Sequence, residues 1–392
     1  MTLNSLPLSY CTNVHPGLTV AEILQKLDEF TIPIQQQLGT PLAAGLWLAE
    51  PVIKEILATP DGHLRFAEEI HKRNLTCYTL NAFPFGNFHS DRVKENVYLP
   101  DWSDPERLEY TKGCARVLAA LLPEDTEGSI STVPLGFKKF EHAADFSETC
   151  VEQLIELATF LKELKEETGR TIRLAIEPEP FCVIEFTHEL IVFFERLYER
   201  AAKKQLLGTV REYLGACYDI CHQAVEFEDI PGSIRQITHA EIRINKIHIS
   251  NAIELTNPWE NEAGRTQLAQ YAEPRYLHQT IGSLRNGDLY RIVDLTRKFL
   301  LAPDPRIKET KKLRVHFHVP IDAVTLGALG TTHQELRQAL ATVKELDYAP
   351  HLEVETYTWE VLPDDQKPTL VEGLTRELQA AQMLLNTLSE NE

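Results

Sequence analysis

Short apolar runs alternate along this chain with longer segments whose apolar residues recur every three or four positions. The runs are 6–12 (LPLSYCT), 43–49 (AAGLWLA), 75–81 (LTCYTLN), 128–134 (GSISTVP) and 171–177 (TIRLAIE). They continue at 213–219 (YLGACYD), 245–250 (NKIHIS), 313–319 (LRVHFHV) and 351–357 (HLEVETY). Most are apolar on both faces, which predicts buried parallel strands. The clearest helix is 145–168. Asp145 and Glu148 form a cap-like pair, Leu154, Leu157, Leu161 and Leu164 form a stripe, and Gly169 is the stop. Strand, helix and strand repeated this often predict a parallel sheet with right-handed crossovers, and eight such units close as a (β/α)8 barrel. Nine strand candidates leave one surplus, expected to be 313–319. The stretch from 251 to 320 is long for one connection and predicts an excursion with its own helix near 287–299. The segment 365–392, with Leu370, Leu374, Leu378 and Leu385, reads as the closing helix. Without a low-complexity linker or a sharp shift in composition, residues 1–392 read as one elaborated domain.

Composition narrows the partners. With 39 Lys and Arg against 58 Asp and Glu, the formal charge is 39 − 58 = −19. So acidic an envelope repels phosphate backbones and anionic lipid, and nucleic acid is not an expected partner. The seven cysteines form no C-x-x-C pair, and several lie in apolar runs as reduced thiols do. Cys182, Cys217 and Cys221 are read in this way despite standing near the acids described next. MTLNSLPLSY lacks the pattern of a signal peptide, and no run approaches the ~18 apolar residues a membrane span needs. A cytoplasmic protein is the expectation.

The chemistry lies where the strands end. In a barrel, functional groups gather at the C-terminal ends of the strands, where the βα loops open. Glu177 ends 171–177, Asp219 ends 213–219, His248 lies in 245–250 and Glu355 lies in 351–357. Each alone equally fits a polar cap where a buried strand meets solvent. Together, on four strands in matching positions, they suit a divalent cation: Mn2+, Zn2+, Mg2+ or Co2+. A cation also relieves the cost of collecting carboxylates at one buried mouth.

This order of residues resembles the xylose isomerase-like (sugar phosphate isomerase/epimerase) TIM-barrel superfamily. SYCTNVHPG at 9–17, STVPLGFK at 131–138, LAIEPEP at 174–180, YDICHQAVEFED at 218–229 and VHFHVP at 315–320 further resemble its EboE-type metabolite traffic branch. The resemblance covers essentially the whole chain, with an enlarged segment between the His248 and Glu355 strands. It implies that Glu177, Asp219, His248 and Glu355 hold one metal, and that the two glutamates flank a small-molecule substrate and exchange its proton. It also implies a role in handling or exporting a secondary-metabolite or lipid-like precursor, linked to membrane proteins of the same pathway.

Further histidines leave alternatives open. His222 follows Asp219 as D-x-x-H. In the superfamily this histidine contacts the substrate in epimerases and a second metal in the AP-endonuclease branch, while a simple helix-start hydrogen bond would explain it equally. His316 and His318 alternate in a strand, so both face one side. Aimed at the mouth they can bind a second metal or a substrate oxygen; aimed outward they are inert. The AP-endonuclease branch has Asp-x-His in a comparable place, so H-F-H is a departure. His15 and His89 lie in loops over the expected mouth. Trp47, with Phe83 and Phe85, can form an apolar wall, and Lys138 can meet an anionic substrate. The chain lacks a P-loop, a G-x-G-x-x-G after its first strand and a G-x-S-x-G elbow. Three functions follow as expectations: a metal-dependent isomerase or epimerase using Glu177, Glu355 and His222, a two- or three-metal hydrolase of a small phosphate ester, or a metal-containing protein that only binds a metabolite.

Overall fold

Eight of the nine apolar runs are strands of one closed barrel. In this computed structural model, which describes residues 6–302, 304–363 and 367–390, they are β1 (Ser9–Cys11), β2 (Ala43–Trp47), β3 (Thr79–Asn81), β4 (Gly128–Thr132), β5 (Ile172–Ile176), β6 (Leu214–Asp219) and β7 (Ile244–Ile249). The eighth barrel strand comes much later in the chain. Between it and β7 lie β8 (Ala252–Thr256), β9 (Thr280–Leu284), β10 (Leu289–Ile292), β11 (Thr310–His318), β12 (Thr325–Leu326) and β13 (Leu329–Thr331). The barrel then closes with β14 (His351–Val354). The barrel order is β1-β14-β7-β6-β5-β4-β3-β2, and every pairing in it is parallel.

The helices between the strands follow the apolar stripes. Phe146–Thr168 buries Leu154, Leu157, Leu161 and Leu164, and ends at Gly169, whose φ of +73° suits a residue without a side chain. The expected side-chain cap is not formed: the Asp145 carbonyl, not its carboxylate, takes the N–H of Thr149. The closing helix runs Leu370–Glu390 and buries Leu374, Leu378 and Leu385. Of the segment 365–392, positions 365, 366, 391 and 392 lie outside the described residues.

The excursion is a second sheet, of order β10-β9-β11-β8-β13-β12 and antiparallel throughout. It extends past the expected boundary, to Thr331. The run 313–319 belongs here, in β11, and not to the barrel. Ile253, Leu255, Leu313, Val315 and Phe317 give this sheet a small apolar core of its own. The helix expected near 287–299 is instead a hairpin. Asn286-Gly287 turns the chain with Gly287 at φ +94°, β10 pairs back on β9, and only Arg297–Leu301 is helical. Asn-Gly between extended runs is a strong hairpin signal, and it outweighs the weak helical spacing that follows. β11 crosses the barrel mouth, and the His318 ring meets the Glu355 carbonyl at 2.8 Å through Nδ1.

Candidate metal centre

Four strand ends converge at one point. Glu177 directly follows β5, and its N–H continues the ladder by donating to the Thr132 carbonyl at 3.1 Å. Asp219 ends β6 and caps the helix Ile220–Val225, its Oδ1 accepting from the N–H of His222 at 2.9 Å and from Ser250 Oγ at 2.8 Å. His248 stands in β7, and Glu355 directly follows β14. All four are buried, and one ligand atom from each lies within 4.8 Å of the other three.

His248 is the centre of the cluster. Its Nδ1 is 2.9 Å from Glu177 Oε1, 3.0 Å from Glu355 Oε2 and 3.5 Å from Asp219 Oδ2. Burial favours its neutral form, but Cys217 and the carboxylates of Glu177 and Glu355 push the imidazole well above its usual range. Burial likewise opposes ionisation of Asp219, yet His222, His318 and His248 hold its carboxyl well below the usual range. Glu177 Oε2, Asp219 Oδ2 and His318 Nε2 are buried without a hydrogen-bond partner. Carboxylate oxygens left so are costly, and a divalent cation satisfies them. Three carboxylates and an imidazole fit the cations expected from the sequence.

A layer deeper, the barrel interior holds a second charged pair. Lys246 Nζ is 2.6 Å from Glu353 Oε1, both side chains are fully buried, and Glu353 Oε1 is 3.2 Å from the far nitrogen of His248. Despite burial, Lys246 and His248 bring the Glu353 carboxyl down to about 2. Sequence reasoning missed this pair, although Lys246 and Glu353 stand two residues before His248 and Glu355 and therefore share their inward face.

The other predicted histidines divide. His222, His316 and His318 meet at the mouth. His222 Nε2 is 3.1 Å from His316 Nε2, and His316 Nδ1 is 2.6 Å from Gln279 Oε1. Burial and the neighbouring His222 and His318 push His316 well below its usual range. His222 is raised, because Asp219, Glu179 and Glu177 outweigh its burial. Four further groupings have ligand-like spacing: Asp219 with His222 and His318, Glu179 with His222 and His316, Cys221 with His316 and His318, and Glu177 with Cys217 and His248. His15, by contrast, is buried against Tyr10 and stacked on Phe30.

Above the centre lies a cavity that opens to solvent. Its floor carries Glu177, Glu355, His222 and His316, and two asparagines that sequence reasoning passed over. Asn13 and Asn81 both donate to Glu355 Oε1, at 2.8 and 3.0 Å. Their signal was position, since each stands at or just beyond a barrel strand end. Glu179 also faces the cavity. Burial raises its carboxyl to about 7, although Tyr98 Oη donates to it at 2.6 Å. Trp47, His15, His89 and Lys138 do not line the cavity. Trp47 is fully buried with its Nε1 donating to the Pro84 carbonyl, His89 meets the Asn13 carbonyl, and Lys138 is paired with Glu185 and Glu189. Of the expected aromatic wall, Phe83 faces the cavity while Phe85 packs on Tyr110. The seven cysteines are all buried and unbridged.

The geometry can be set beside solved structures. A xylose isomerase-like TIM barrel protein from Mycobacterium smegmatis, described in complex with magnesium, superposes with a TM-score of 0.53 over 100% of this chain and 99% of its own, at 9% identity. This chain has the xylose isomerase-like barrel fold. A D-tagatose 3-epimerase-like protein gives a TM-score of 0.48 at 11% identity, covering 98% of this chain and 99% of its own. The IOLI protein with a bound zinc atom gives 0.46 at 13%, covering 98% of each chain. No family model matches the sequence, and no curated protein does. Within this xylose isomerase-like barrel, no helix among the described residues is long and apolar enough to cross a membrane.

Proposed function

We propose that this chain is a divalent-metal-dependent enzyme that moves a proton on a small polyoxygenated metabolite, as isomerases and epimerases do. The observation that carries this reading is the convergence of Glu177, Asp219, His248 and Glu355, with unpartnered carboxylate oxygens, beneath a cavity open to solvent. These four residues would hold the cation, with Mn2+, Zn2+, Mg2+ and Co2+ all compatible with the donor set. When bound, it would supply Lewis-acid polarisation of a substrate carbonyl.

The chain's own residues supply the rest. Glu177 and Glu355 come from barrel strands separated by β6 and β7, so they face the substrate from two sides. One would take the proton from the carbon beside the carbonyl and the other return one: to the opposite face of the same carbon, which inverts it, or to the carbonyl carbon, with the adjacent hydroxyl proton passing to the carbonyl oxygen, which relocates the carbonyl. Asn13 and Asn81 fix Glu355 through Oε1 and leave Oε2 toward the centre. His222, its Nδ1 against the Pro178 carbonyl at 2.9 Å, would orient a substrate hydroxyl through Nε2 in place of its contact with His316. The reducing cytoplasm as its place of action is supported by the seven free thiols. The EboE-type motifs support a pathway that handles or exports a secondary-metabolite or lipid-like precursor beside membrane proteins.

A second reading, hydrolysis of a small phosphate ester by two or three metals, is favoured by the three adjoining groupings around His222, His316 and His318. A third, binding without turnover, rests on the resemblance alone. The test is deuterium exchange in D2O with metal-loaded protein and a panel of α-hydroxy ketones. Proton transfer predicts deuterium at the carbon beside the carbonyl, abolished in Glu355→Gln while ligand still binds. Unchanged exchange in that variant removes Glu355 from the role.

A further inference from the structure

The cavity over the metal centre has two unlike halves. Its floor is polar, while the opposite wall is built from the loop after β3 and the excursion, joined where the N–H groups of Val93 and Lys94 both donate to the Arg275 carbonyl at 2.9 Å. On that wall Phe88 and Tyr276 form a ring cluster with Tyr357, which comes from the turn after β14, with centroids 5.0, 5.3 and 5.1 Å apart. The Tyr276 hydroxyl is committed to the Phe88 carbonyl, so it is the rings that the wall presents. Phe83, Val93 and Leu277 extend the apolar surface. The wall also stands close to the metal-directed groups, since the Tyr357 ring lies 4.8 Å from the ring of His318.

Among the described residues, no uncommitted lysine or arginine faces the same cavity. Among the described residues, Lys94 is the one lysine or arginine that lines it. Its ammonium is fully committed, to Asp294 Oδ2 at 2.9 Å and to the carbonyls of Tyr276 and Glu273 at 2.5 and 3.4 Å. Three N–H donors meet three acceptors, so none remains for a phosphate.

The geometry points to a substrate with adjacent oxygens at one end and an uncharged apolar body, aromatic or alicyclic, at the other, and not to a sugar phosphate. This deepens the metal-dependent reading and rests on it. The oxygens face Glu177, Glu355 and the cation, and the body packs on Phe88, Tyr276 and Tyr357, where buried ring area contributes affinity.

Hydroxamates separate these features, because each carries two adjacent oxygens and differs in what is attached. Calorimetric titration of Mn2+-loaded protein should find benzohydroxamate bound at least about tenfold more tightly than acetohydroxamate, as ring burial predicts. Phosphoglycolohydroxamate should bind no better than acetohydroxamate. Phe88→Leu and Tyr276→Ala, confirmed as folded by circular dichroism, should each narrow the first ratio. Equal affinities, or a preference for the phosphorylated ligand, would overturn the proposal. Should Mn2+ itself not bind, the metal reading falls separately, and N-phenyl-1-naphthylamine on metal-free protein still reads the wall. Fluorescence enhancement that Tyr276→Ala removes then upholds the apolar subsite, and no enhancement overturns it.

Discussion

Glu353 lies directly beneath His248, its Oε1 3.2 Å from the imidazole Nε2 and 2.6 Å from the ammonium of Lys246. The carboxylate is therefore a close charge partner of the ring whose other nitrogen faces Glu177, Asp219 and Glu355. Partners of this kind set the tautomer and basicity of a ligating histidine.

Glu353→Gln is expected to weaken divalent-metal affinity by about 10–100-fold without touching a ligand. A competition titration against a fluorescent chelator measures this. The variant also strands a buried ammonium, which costs about 3–5 kcal/mol of stability. Adding Lys246→Met should recover much of that stability but not the affinity, a pattern that a purely structural role would not give.

Gly45 offers a second approach to the same carboxylate. A Cβ built there would clash with Glu353 Oε2 and stand 2.8 Å from Ser9 Oγ, so glycine at this point in β2 is what makes room for the buried acid. Gly45→Ala should cost about 1–3 kcal/mol by overpacking. It should lower metal affinity in the same titration, because Glu353 must move away.

Much of this centre was legible in the sequence, for a physical reason. Parallel strands buried on both faces read as apolar runs, so the ionisable groups Glu177, Asp219, His248 and Glu355 stood out at their ends. The eight barrel strands follow from the same contrast, while 313–319 was set aside because nine candidates exceed the eight strands of a barrel. Lys246 and Glu353 were hidden by the complementary fact: a paired charge inside a strand breaks the apolar pattern without marking an end. The aromatic wall had no period to reveal it, since Phe88 and Tyr276 lie in loops far apart in sequence. Trp47 and Lys138 misled because residue type alone does not say whether a side chain already has a partner. Both do, in the Pro84 carbonyl and in Glu185 and Glu189.

Metal binding should stabilise the fold. Carboxylates held together without a cation repel one another, and a ligand that binds only the folded chain adds about 2.7 kcal/mol at a hundredfold excess over its Kd. Thermal unfolding with and without Mn2+ or Zn2+ should show the higher Tm with metal, and Asp219→Ala should abolish the difference.

Glu377 is expected to make stability fall as pH rises. It is fully buried on the closing helix, where it accepts from the Ile321 N–H, Thr356 Oγ1 and Trp359 Nε1. Burial outweighs these donors and raises its carboxyl to about 7, with Asp322 adding to the rise. The folded state therefore binds more protons than the unfolded one between the ordinary glutamate range and about 7. Stability from this group is present below that window and lost through it, by up to about 3 kcal/mol. Urea denaturation of Glu377→Gln and of the unaltered protein from pH 5 to 8 should show the variant gaining relative stability as pH rises.

The central claim is that Glu177, Asp219, His248 and Glu355 form a metal site, and elemental analysis of protein purified without added metal tests it most directly. The account predicts at least one equivalent of a divalent cation per chain, lost in an Asp219→Ala variant that remains folded. One equivalent favours proton transfer, and two or three favour hydrolysis. A folded Asp219→Ala protein with unchanged metal content would contradict the assignment.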